Sequence, residues 1–438
     1  MKVLLKNGRV VDPANNIDGA YDVLIEDGKI AAVAPDITAE GAQVEDVSGM
    51  VVAPGFVEMH AHMRDFNEPQ RDTFYTATCS AVCGGFTSVG IMPNSDPVVD
   101  NVEMIERVKQ RAAESAVTRI YPFASVTVGR KGEQIVDMKA LADAGAVAFS
   151  DDGNSFKDAT MMRDILEQTK LVDRVVDLHC EDKAYTGKGV VNAGKIAEEL
   201  GLPGISSVAE DIEIARDLII QEEIGGNMHI AHLGSERSVE LVRFFRERGV
   251  KFTCELIPHQ FSRTEEIVKE KGVLAKVKPP FRTQSDVDGI RRGLADQLVD
   301  VIASDHCPYA PEELEGGLTA TNLFGIAGFE TTLPLALDMV RKGVATLDYI
   351  IRCLTVNPAR ILRLHDRGTL SVGADADVTV FDPDKEWVVT RECLHSKGPN
   401  NPYIGDTMRG RVELVIIGGE IVCRGWKILK QVDNYSIV

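Results

Sequence analysis

Eight short apolar segments alternate with helix-like segments through the middle of this chain, from residue 53 to residue 365. Each apolar segment is short enough to be a strand that is buried on both faces. Alternation of buried strands with helices is typical of parallel α/β architecture, and eight such units predict a TIM-like (β/α)8 barrel. The predicted strands are Val52–His62, Ser88–Asn94, Arg119–Val126, Ala146–Asp152, Val175–Cys180, Met228–Leu233, Lys251–Ile257 and Val299–His306. Helical patterns lie between them, for example at Asn101–Ser115, Asp158–Val172, Ser207–Ile224 and Glu236–Arg248.

The two ends of the chain have a different pattern. Residues 1–52 and 366–438 contain short β-like runs with turn signals, such as Asp27-Gly28, which predicts a tight hairpin. Neither end has enough apolar surface to form a domain alone. We therefore expect both ends to pair into one small β-sandwich domain, with residues 53–365 inserted between them as the catalytic barrel.

Polar residues follow five of the eight predicted strands. In a barrel the carboxyl ends of all strands meet on one face, where active sites are built, and core packing gives no reason for this repeated placement. Residues two apart in a strand point to the same side, so His60 and His62 can bind one metal ion. Arg64 follows on the same side, where its planar guanidinium can bind an anion. The residues at these strand ends are His60 and His62, Asp151 and Asp152, His179, His232, and Asp305 and His306.

Imidazole nitrogens and carboxylate oxygens are ligands that suit zinc. Four histidines and two aspartates are too many for one tetrahedral ion that also keeps a water molecule. The set suits either two zinc ions bridged by a carboxylate, or one tightly bound ion with a weaker second site. Asp305, after the last strand, is the natural group to carry a proton from water to a leaving nitrogen. This chemistry is metal-assisted hydrolysis.

Composition excludes several other classes. The formal net charge of −19 and the isoelectric point near 5.0 argue against a nucleic-acid or anionic-membrane partner. The N-terminal apolar run is too short for a signal peptide, and no later run is long enough to span a bilayer. Eight scattered cysteines indicate reduced, mostly buried thiols. We therefore expect a cytoplasmic protein.

Motifs spread over nearly the whole chain resemble the amidohydrolase superfamily, and within it the long bacterial type of dihydroorotase. They include PGFVEMHAHMR, GGFTSVGIMPNSDPVVD, FSDDG, DLHCED, HIAHLGS, SDHCP, FGIAGFETTLPLAL, LTVNPARILRL and GADADVTVFDPD. The resemblance implies a first metal held by His60 and His62, a second held by His179 and His232, and Asp152 as the bridge. It also implies that Asp305 is a metal ligand and general acid/base, and that Arg64 and Asn94 bind a carboxylate of the substrate. Hydantoinases and dihydropyrimidinases have a carboxylated lysine as the bridge, and this strand has none.

Three places depart from the family pattern. Asp65–Asn67 stands where the family usually has Glu-Pro-Gly, Lys278 where it has asparagine, and Tyr309 where it has a second histidine. The last two family positions contact substrate. Lys278 can pair with an anion and Tyr309 can donate a hydrogen bond, so both remain candidate substrate-binding residues.

The resemblance implies a zinc enzyme that interconverts N-carbamoyl-L-aspartate and L-dihydroorotate, with a carboxylated cyclic amide as its small-molecule substrate. It also implies a homo-oligomer, expected to be a dimer, and an association with aspartate transcarbamoylase. The altered positions leave a second hypothesis open, a hydrolase of another cyclic ureide or imide such as a hydantoin, a dihydropyrimidine or allantoin. A third is a non-catalytic dihydroorotase-like subunit, which the presence of every proposed metal ligand disfavours.

Overall fold

A computed structural model describes residues 2–156, 158–320 and 323–430 of the chain. The first ten strands are β1 (Lys2–Asp12), β2 (Ile17–Glu26), β3 (Lys29–Ala34), β4 (Gln43–Asp46), β5 (Val51–Pro54), β6 (Phe56–Ala61), β7 (Phe86–Ile91), β8 (Arg119–Ala124), β9 (Ala148–Ser150) and β10 (Val175–Leu178). The remaining strands are β11 (Val191–Asn192), β12 (Gly204–Ile205), β13 (Met228–Ile230), β14 (Thr253–Leu256), β15 (Val301–Ile302), β16 (Val378–Val388), β17 (Thr407–Ile417), β18 (Glu420–Arg424) and β19 (Lys427–Ile428).

The helices lie mainly between the strands of the middle segment, as the alternating pattern predicts. They are α1 (Phe74–Cys83), α2 (Val102–Ser115), α3 (Met138–Ala144), α4 (Ala159–Val172), α5 (Lys183–Thr186), α6 (Lys195–Leu200), α7 (Val208–Ile224), α8 (Glu236–Glu247), α9 (Pro258–Ser262), α10 (Ile267–Lys271), α11 (Gln284–Ala295), α12 (Phe329–Arg341), α13 (Leu347–Leu354) and α14 (Val356–Ile361). Helices α2 and α4 begin at side-chain caps. The side chains of Asn101 and Asp158 accept from the backbone N–H of Met104 and Met161, respectively. All four predicted helices are confirmed within one residue at each end.

Eight strands of the middle segment form one parallel sheet in the order β6, β7, β8, β9, β10, β13, β14, β15. A parallel bridge between Ala61 and His306 joins the first strand to the end of the last one, which closes the sheet. Most residues of these strands are buried because helices cover the outside and side chains fill the inside. The predicted (β/α)8 barrel is therefore confirmed, and its strand carboxyl ends lie on one face.

The first predicted strand, Val52–His62, is two strands in the structure. β5 pairs with β1 and β16, whereas β6 pairs with β7 in the barrel. Gly55 separates them, and a Cβ atom there would lie 2.1 Å from the Thr87 hydroxyl oxygen. The Thr87 side chain packs directly against the Gly55 backbone, which leaves no room for a larger residue at this position. An apolar run alone does not reveal that the chain changes sheets within it.

Both chain ends contribute to a second sheet, which is mostly antiparallel. Its order is β19, β18, β17, β16, β5, β1, β2, β3, with β4 paired to β1. The hairpin at Asp27-Gly28 is confirmed, since both residues have positive φ and β2 pairs with β3 across them. Residues from both ends, such as Val23, Val52 and Val380, share one core. The division at residues 52/53 and 365/366 stays a prediction.

None of the helices in the described ranges has the length and apolar character needed to cross a membrane.

Candidate active site

The six residues predicted as metal ligands come together at the carboxyl face of the barrel. They lie at or just after the ends of five strands, and all are at least nine-tenths buried. Two of them, His232 and Asp305, have left-handed backbone with φ of 27° and 47°. Side chains other than glycine adopt this region at a cost of about 1–3 kcal/mol, and such strain clusters at functional sites. The six are His60 in β6, His62 just after it, Asp152 after β9, His179 after β10, His232 after β13 and Asp305 after β15.

One group of possible ligand atoms is formed by the first and last strands. His62 Nε2 lies 3.1 Å from Asp305 Oδ1, and His60 Nε2 lies 3.7 Å from the same oxygen. One nitrogen or oxygen from each of these three residues lies within 4.8 Å of the others. This spacing is compact enough for one cation to contact all three.

A second group lies on the other side of Asp152. His179 Nδ1 is 2.9 Å from His232 Nε2, and Asp152 Oδ1 is 3.3 Å from His179 Nδ1 and 3.9 Å from His232 Nε2. The same carboxylate also faces the first group, with distances of 3.4 Å to His60 Nε2 and 3.5 Å to His62 Nε2. Asp152 therefore stands between the two histidine pairs, where a bridging ligand would be.

The donor set fits a divalent metal. His60 Nε2 and Asp152 Oδ1 are buried and have no hydrogen-bond partner in the structure, although both point into the cluster. Burial opposes ionisation of Asp152, but the nearby imidazoles of His179, His232 and His60 hold its pKa well below the usual range. An ionised carboxylate among imidazole nitrogens is a suitable environment for a cation.

Glu255 of β14 supports the cluster from inside the barrel. Its Oε1 lies 2.9 Å from His60 Nδ1, and its Oε2 lies 3.1 Å from His229 Nε2. His229 Nδ1 in turn lies 2.7 Å from the Thr253 hydroxyl. When Glu255 accepts the Nδ1 proton of His60, the Nε2 lone pair faces the cluster, which is the arrangement that a metal ligand requires.

Arg64 and Asn94, predicted to hold a carboxylate, are in contact with each other at the edge of the cluster. Arg64 is 6% exposed; its Nη1 donates to the Asn94 carbonyl at 2.9 Å, and its Nη2 lies 3.3 Å from Cys307 Sγ. Its Nε has no partner. Asn94 Oδ1 lies 2.8 Å from His62 Nδ1, and its Nδ2 lies 3.3 Å from Asp152 Oδ2. Asn94 thus positions His62 and Arg64.

A cavity of about 260 Å³ opens onto the cluster. Four basic side chains line it, and two of them, Arg130 and Lys183, were not singled out from the sequence. Both are also held by the loop that follows β9, since Arg130 donates to the Asp152 carbonyl and Lys183 to Asn154. The wall includes Arg64, Asn94, Arg130, Glu181, Lys183, Lys278, Cys307, Tyr309 and Phe324.

The two residues that depart from the family pattern both line this cavity and both contact Phe324. Lys278 Nζ lies 2.7 Å from Glu181 Oε1 and 4.6 Å from the centre of the Phe324 ring. The Tyr309 hydroxyl donates to the Phe324 carbonyl at 2.8 Å. Because that proton is already used, Tyr309 shapes the wall in this structure, while the Lys278 ammonium remains directed to the cavity.

Carboxylates inside the barrel are the residues that sequence reasoning missed. Glu58 accepts from the backbone N–H of His60 at 2.8 Å and of Ser304 at 2.9 Å, and burial raises its pKa to about 8. Glu181 Oε2 lies 3.4 Å from His179 Nε2, much as Glu255 lies against His60. The available signal was a charged residue within an apolar strand, as in FVEMH and TCEL.

Asp151 and His259 lie near the cluster but are held by other parts of the protein. Asp151 points away from the cluster and accepts from the backbone N–H of Val126 at 2.8 Å and of Thr127 at 3.1 Å. His259 is buried, with Nδ1 3.4 Å from the Tyr403 hydroxyl, and burial lowers its pKa to about 4.

A parallel eight-stranded barrel with four histidines and two aspartates at its carboxyl face defines a metal-dependent amidohydrolase. Comparisons with known proteins agree with this class. The profile described as Dihydro-orotase-like matches residues 49–238, and the profile described as Amidohydrolase family matches residues 338–423. A solved structure of L-hydantoinase (dihydropyrimidinase) from Arthrobacter aurescens is similar with a TM-score of 0.87 and 25% identity, over 98% of this chain and 97% of that one.

Curated relatives show which family within this class the chain belongs to. The dihydroorotase of Syntrophus aciditrophicus is 42% identical, over 96% of this chain and 99% of the relative. The dihydroorotase of Aquifex aeolicus is 39% identical over the same shares. The chain therefore belongs to the dihydroorotase family of amidohydrolases.

Proposed function

We propose that the protein is a zinc-dependent dihydroorotase, which interconverts L-dihydroorotate with N-carbamoyl-L-aspartate by addition or loss of water. The observation that carries this proposal is the position of Arg64. Its guanidinium is buried, lines the same cavity as the His/Asp cluster and has an unpartnered Nε. A buried guanidinium beside a hydrolytic metal site favours a substrate that carries a carboxylate next to the bond to be cleaved.

The metal-binding roles are part of the proposal. His60 and His62 hold one ion, His179 and His232 hold a second where two are bound, Asp152 lies between the pairs, and Asp305 completes the first group. Bound zinc would acidify a water molecule and polarise the scissile carbonyl. Zinc is favoured because the donor atoms are imidazole nitrogens and carboxylate oxygens.

Asp305 carries the proton in this mechanism. Burial opposes its ionisation, but the hydrogen bond with His62 and the nearby histidines lower its pKa below the usual value, so it is a carboxylate at neutral pH. In the hydrolytic direction it accepts the proton that water loses when its oxygen bonds to the ring carbonyl carbon. It then gives that proton to the ring nitrogen as the C–N bond breaks. In the reverse direction the same group removes the proton from nitrogen.

Arg64 orients the substrate through its carboxylate, and Asn94 holds Arg64 in place. Lys278 adds a second positive charge on the opposite wall, beside Glu181. The Tyr309 hydroxyl donates to the Phe324 carbonyl and so holds that part of the cavity wall in place. Together these contacts place the ring amide against the His/Asp cluster and leave the carboxylate on the basic side of the cavity.

The test is turnover of L-dihydroorotate by the purified, zinc-loaded protein, measured in both directions. We expect activity in the wild type, and loss of at least a hundredfold in kcat for Asp305→Asn, since general acid–base catalysis typically contributes about 10²–10⁴-fold. Metal content and circular dichroism of the variant show whether the site and fold are retained. Asp182→Asn, at the cap of α5, serves as the matched control and should leave turnover unchanged. A metal-loaded wild type that is silent on dihydroorotate would contradict the proposal.

A second candidate is hydrolysis of a different cyclic ureide or imide, which the residues around Phe324 favour. A panel containing dihydrouracil, hydantoin and allantoin separates the two candidates. Faster turnover of any of these than of dihydroorotate would favour the second candidate.

The cytoplasmic location, the homodimer and the association with aspartate transcarbamoylase stay predictions.

A further inference from the structure

A second concave site lies at the opposite end of the barrel from the His/Asp cluster. This groove has a volume of about 590 Å³ and is formed where several strands begin. Val175, Met228 and Thr253, the first residues of β10, β13 and β14, line it. His179 follows the other end of β10, so roughly 13 Å of strand separates the two sites at about 3.3 Å per residue. The groove is therefore not part of the active-site cavity.

The groove is basic although the protein is strongly acidic. Four cations line it, Arg246, Lys251, Arg360 and Arg363, against a single acid, Asp300. A net charge of −19 over the whole chain makes such a local excess of positive charge notable, because the surrounding surface repels the anions that would otherwise neutralise it.

Two of these cations are already neutralised within the protein and two are not. Arg246 pairs with Asp300, and Arg363 Nη2 pairs with Asp173 at 2.7 Å. Lys251 and Arg360 are exposed, and neither forms an ion pair with any residue in the described part of the chain. They are thus the groups available to an incoming anion.

The remaining wall of the groove is apolar. Val250, Phe252 and Ile361 line it together with the strand residues. A volume of several hundred Å³ that combines apolar side chains with a few charged groups is compatible with a small-molecule site. An extended polyanion would need a row of cations beyond the groove, whereas a compact ligand with one anionic group and one apolar part matches it.

We propose that this groove binds a small organic phosphate, with the phosphate between Lys251 and Arg360 and the apolar part against Val250 and Ile361. Guanidinium and ammonium groups hold phosphate oxygens through charge-assisted hydrogen bonds. The site is separate from the catalytic one, so its occupation does not depend on the identity of the cyclic amide.

The test is calorimetric titration of the zinc-loaded full chain with adenosine monophosphate, inorganic phosphate and adenosine at constant ionic strength. We expect one adenosine monophosphate per chain and no binding of uncharged adenosine. The double variant Lys251→Gln/Arg360→Gln should weaken binding by tenfold or more for each cation removed, since hydrogen bonds to charged groups contribute about 1.5–3 kcal/mol. Lys427→Gln, an exposed lysine of β19, is the matched control and should change nothing.

The basic active-site cavity is a competing destination for phosphate, and Arg64→Gln separates the two. Adenosine monophosphate should still bind to Arg64→Gln, and the double groove variant should keep wild-type turnover. Equal affinity for inorganic phosphate and adenosine monophosphate would overturn the proposed organic ligand, because the apolar wall would then contribute nothing to binding. Binding that survives the double variant but is lost in Arg64→Gln, binding of adenosine as tight as its phosphate, or no binding at millimolar concentration would each overturn the proposal.

Discussion

Replacing Arg64 with glutamine tests how the site recognises its substrate. The guanidinium is fixed on one side by the Asn94 carbonyl and by Cys307 Sγ, and its Nε has no partner within the protein. Glutamine keeps a donor of similar reach but removes the charge. A hydrogen bond to a charged group contributes about 1.5–3 kcal/mol, so the variant should lose about 10–150-fold in kcat/KM for L-dihydroorotate.

The informative quantity is the ratio of two substrates. Dihydrouracil has the same ring without the carboxylate, so its smaller kcat/KM should change little in Arg64→Gln. Arg163→Gln is the control, because Arg163 is an exposed arginine of α4 that pairs with Asp164 and does not line the cavity. Equal losses for both substrates would refute the reasoning, since Arg64 would then act through the metal cluster and not through the carboxylate.

Three further predictions concern support of the site and the fold. Glu255→Gln should weaken zinc binding by about 10–100-fold in a competition with a chelator, because it removes the carboxylate that orients His60, and unchanged affinity would contradict this role. His259 has a pKa near 4 against an ordinary value of 6.5, so the unfolded chain takes up the proton first and the fold loses stability as pH falls through this window. The measurement is the drop in the free energy of unfolding by urea between pH 7 and pH 4.5. This drop should be smaller in His259→Asn than in the wild type, by up to about 3 kcal/mol. Gly55→Ala should lower the unfolding free energy by more than about 1 kcal/mol, because its Cβ would overlap Thr87, and an unchanged denaturation midpoint would refute this.

The barrel and its ligand set were predictable because both depend on local pattern. A strand buried on both faces must be apolar, so a polar residue at its end stands out in the sequence. His179 and His232 are far apart along the chain, yet the barrel topology requires their strands to end on the same face. Neighbouring residues of a strand point to opposite sides, which is consistent with Asp152 facing the cluster while Asp151 does not.

Contacts between distant segments were not predictable in this way. Glu255 lies 195 residues from His60, and Cys307 lies 243 residues from Arg64. Nothing in the local pattern pairs these residues, because the pairing depends on side-chain direction inside the closed barrel. The crossing at Gly55 was missed for a related reason, since the strands on both sides of it are equally apolar.

The altered residues of the cavity are best understood as one change, because all of them meet at Phe324. Lys278 lies over its ring, Tyr309 donates to its carbonyl, and the Lys278 ammonium is balanced by Glu181. Glu181 also lies against His179, and Cys307 contacts both Tyr309 and Arg64, so the altered wall is linked to the cluster and to Arg64. The His/Asp cluster itself contains every predicted ligand. The departures from the family pattern at Lys278 and Tyr309 therefore lie in the cavity wall around Phe324 and leave the predicted ligands in place.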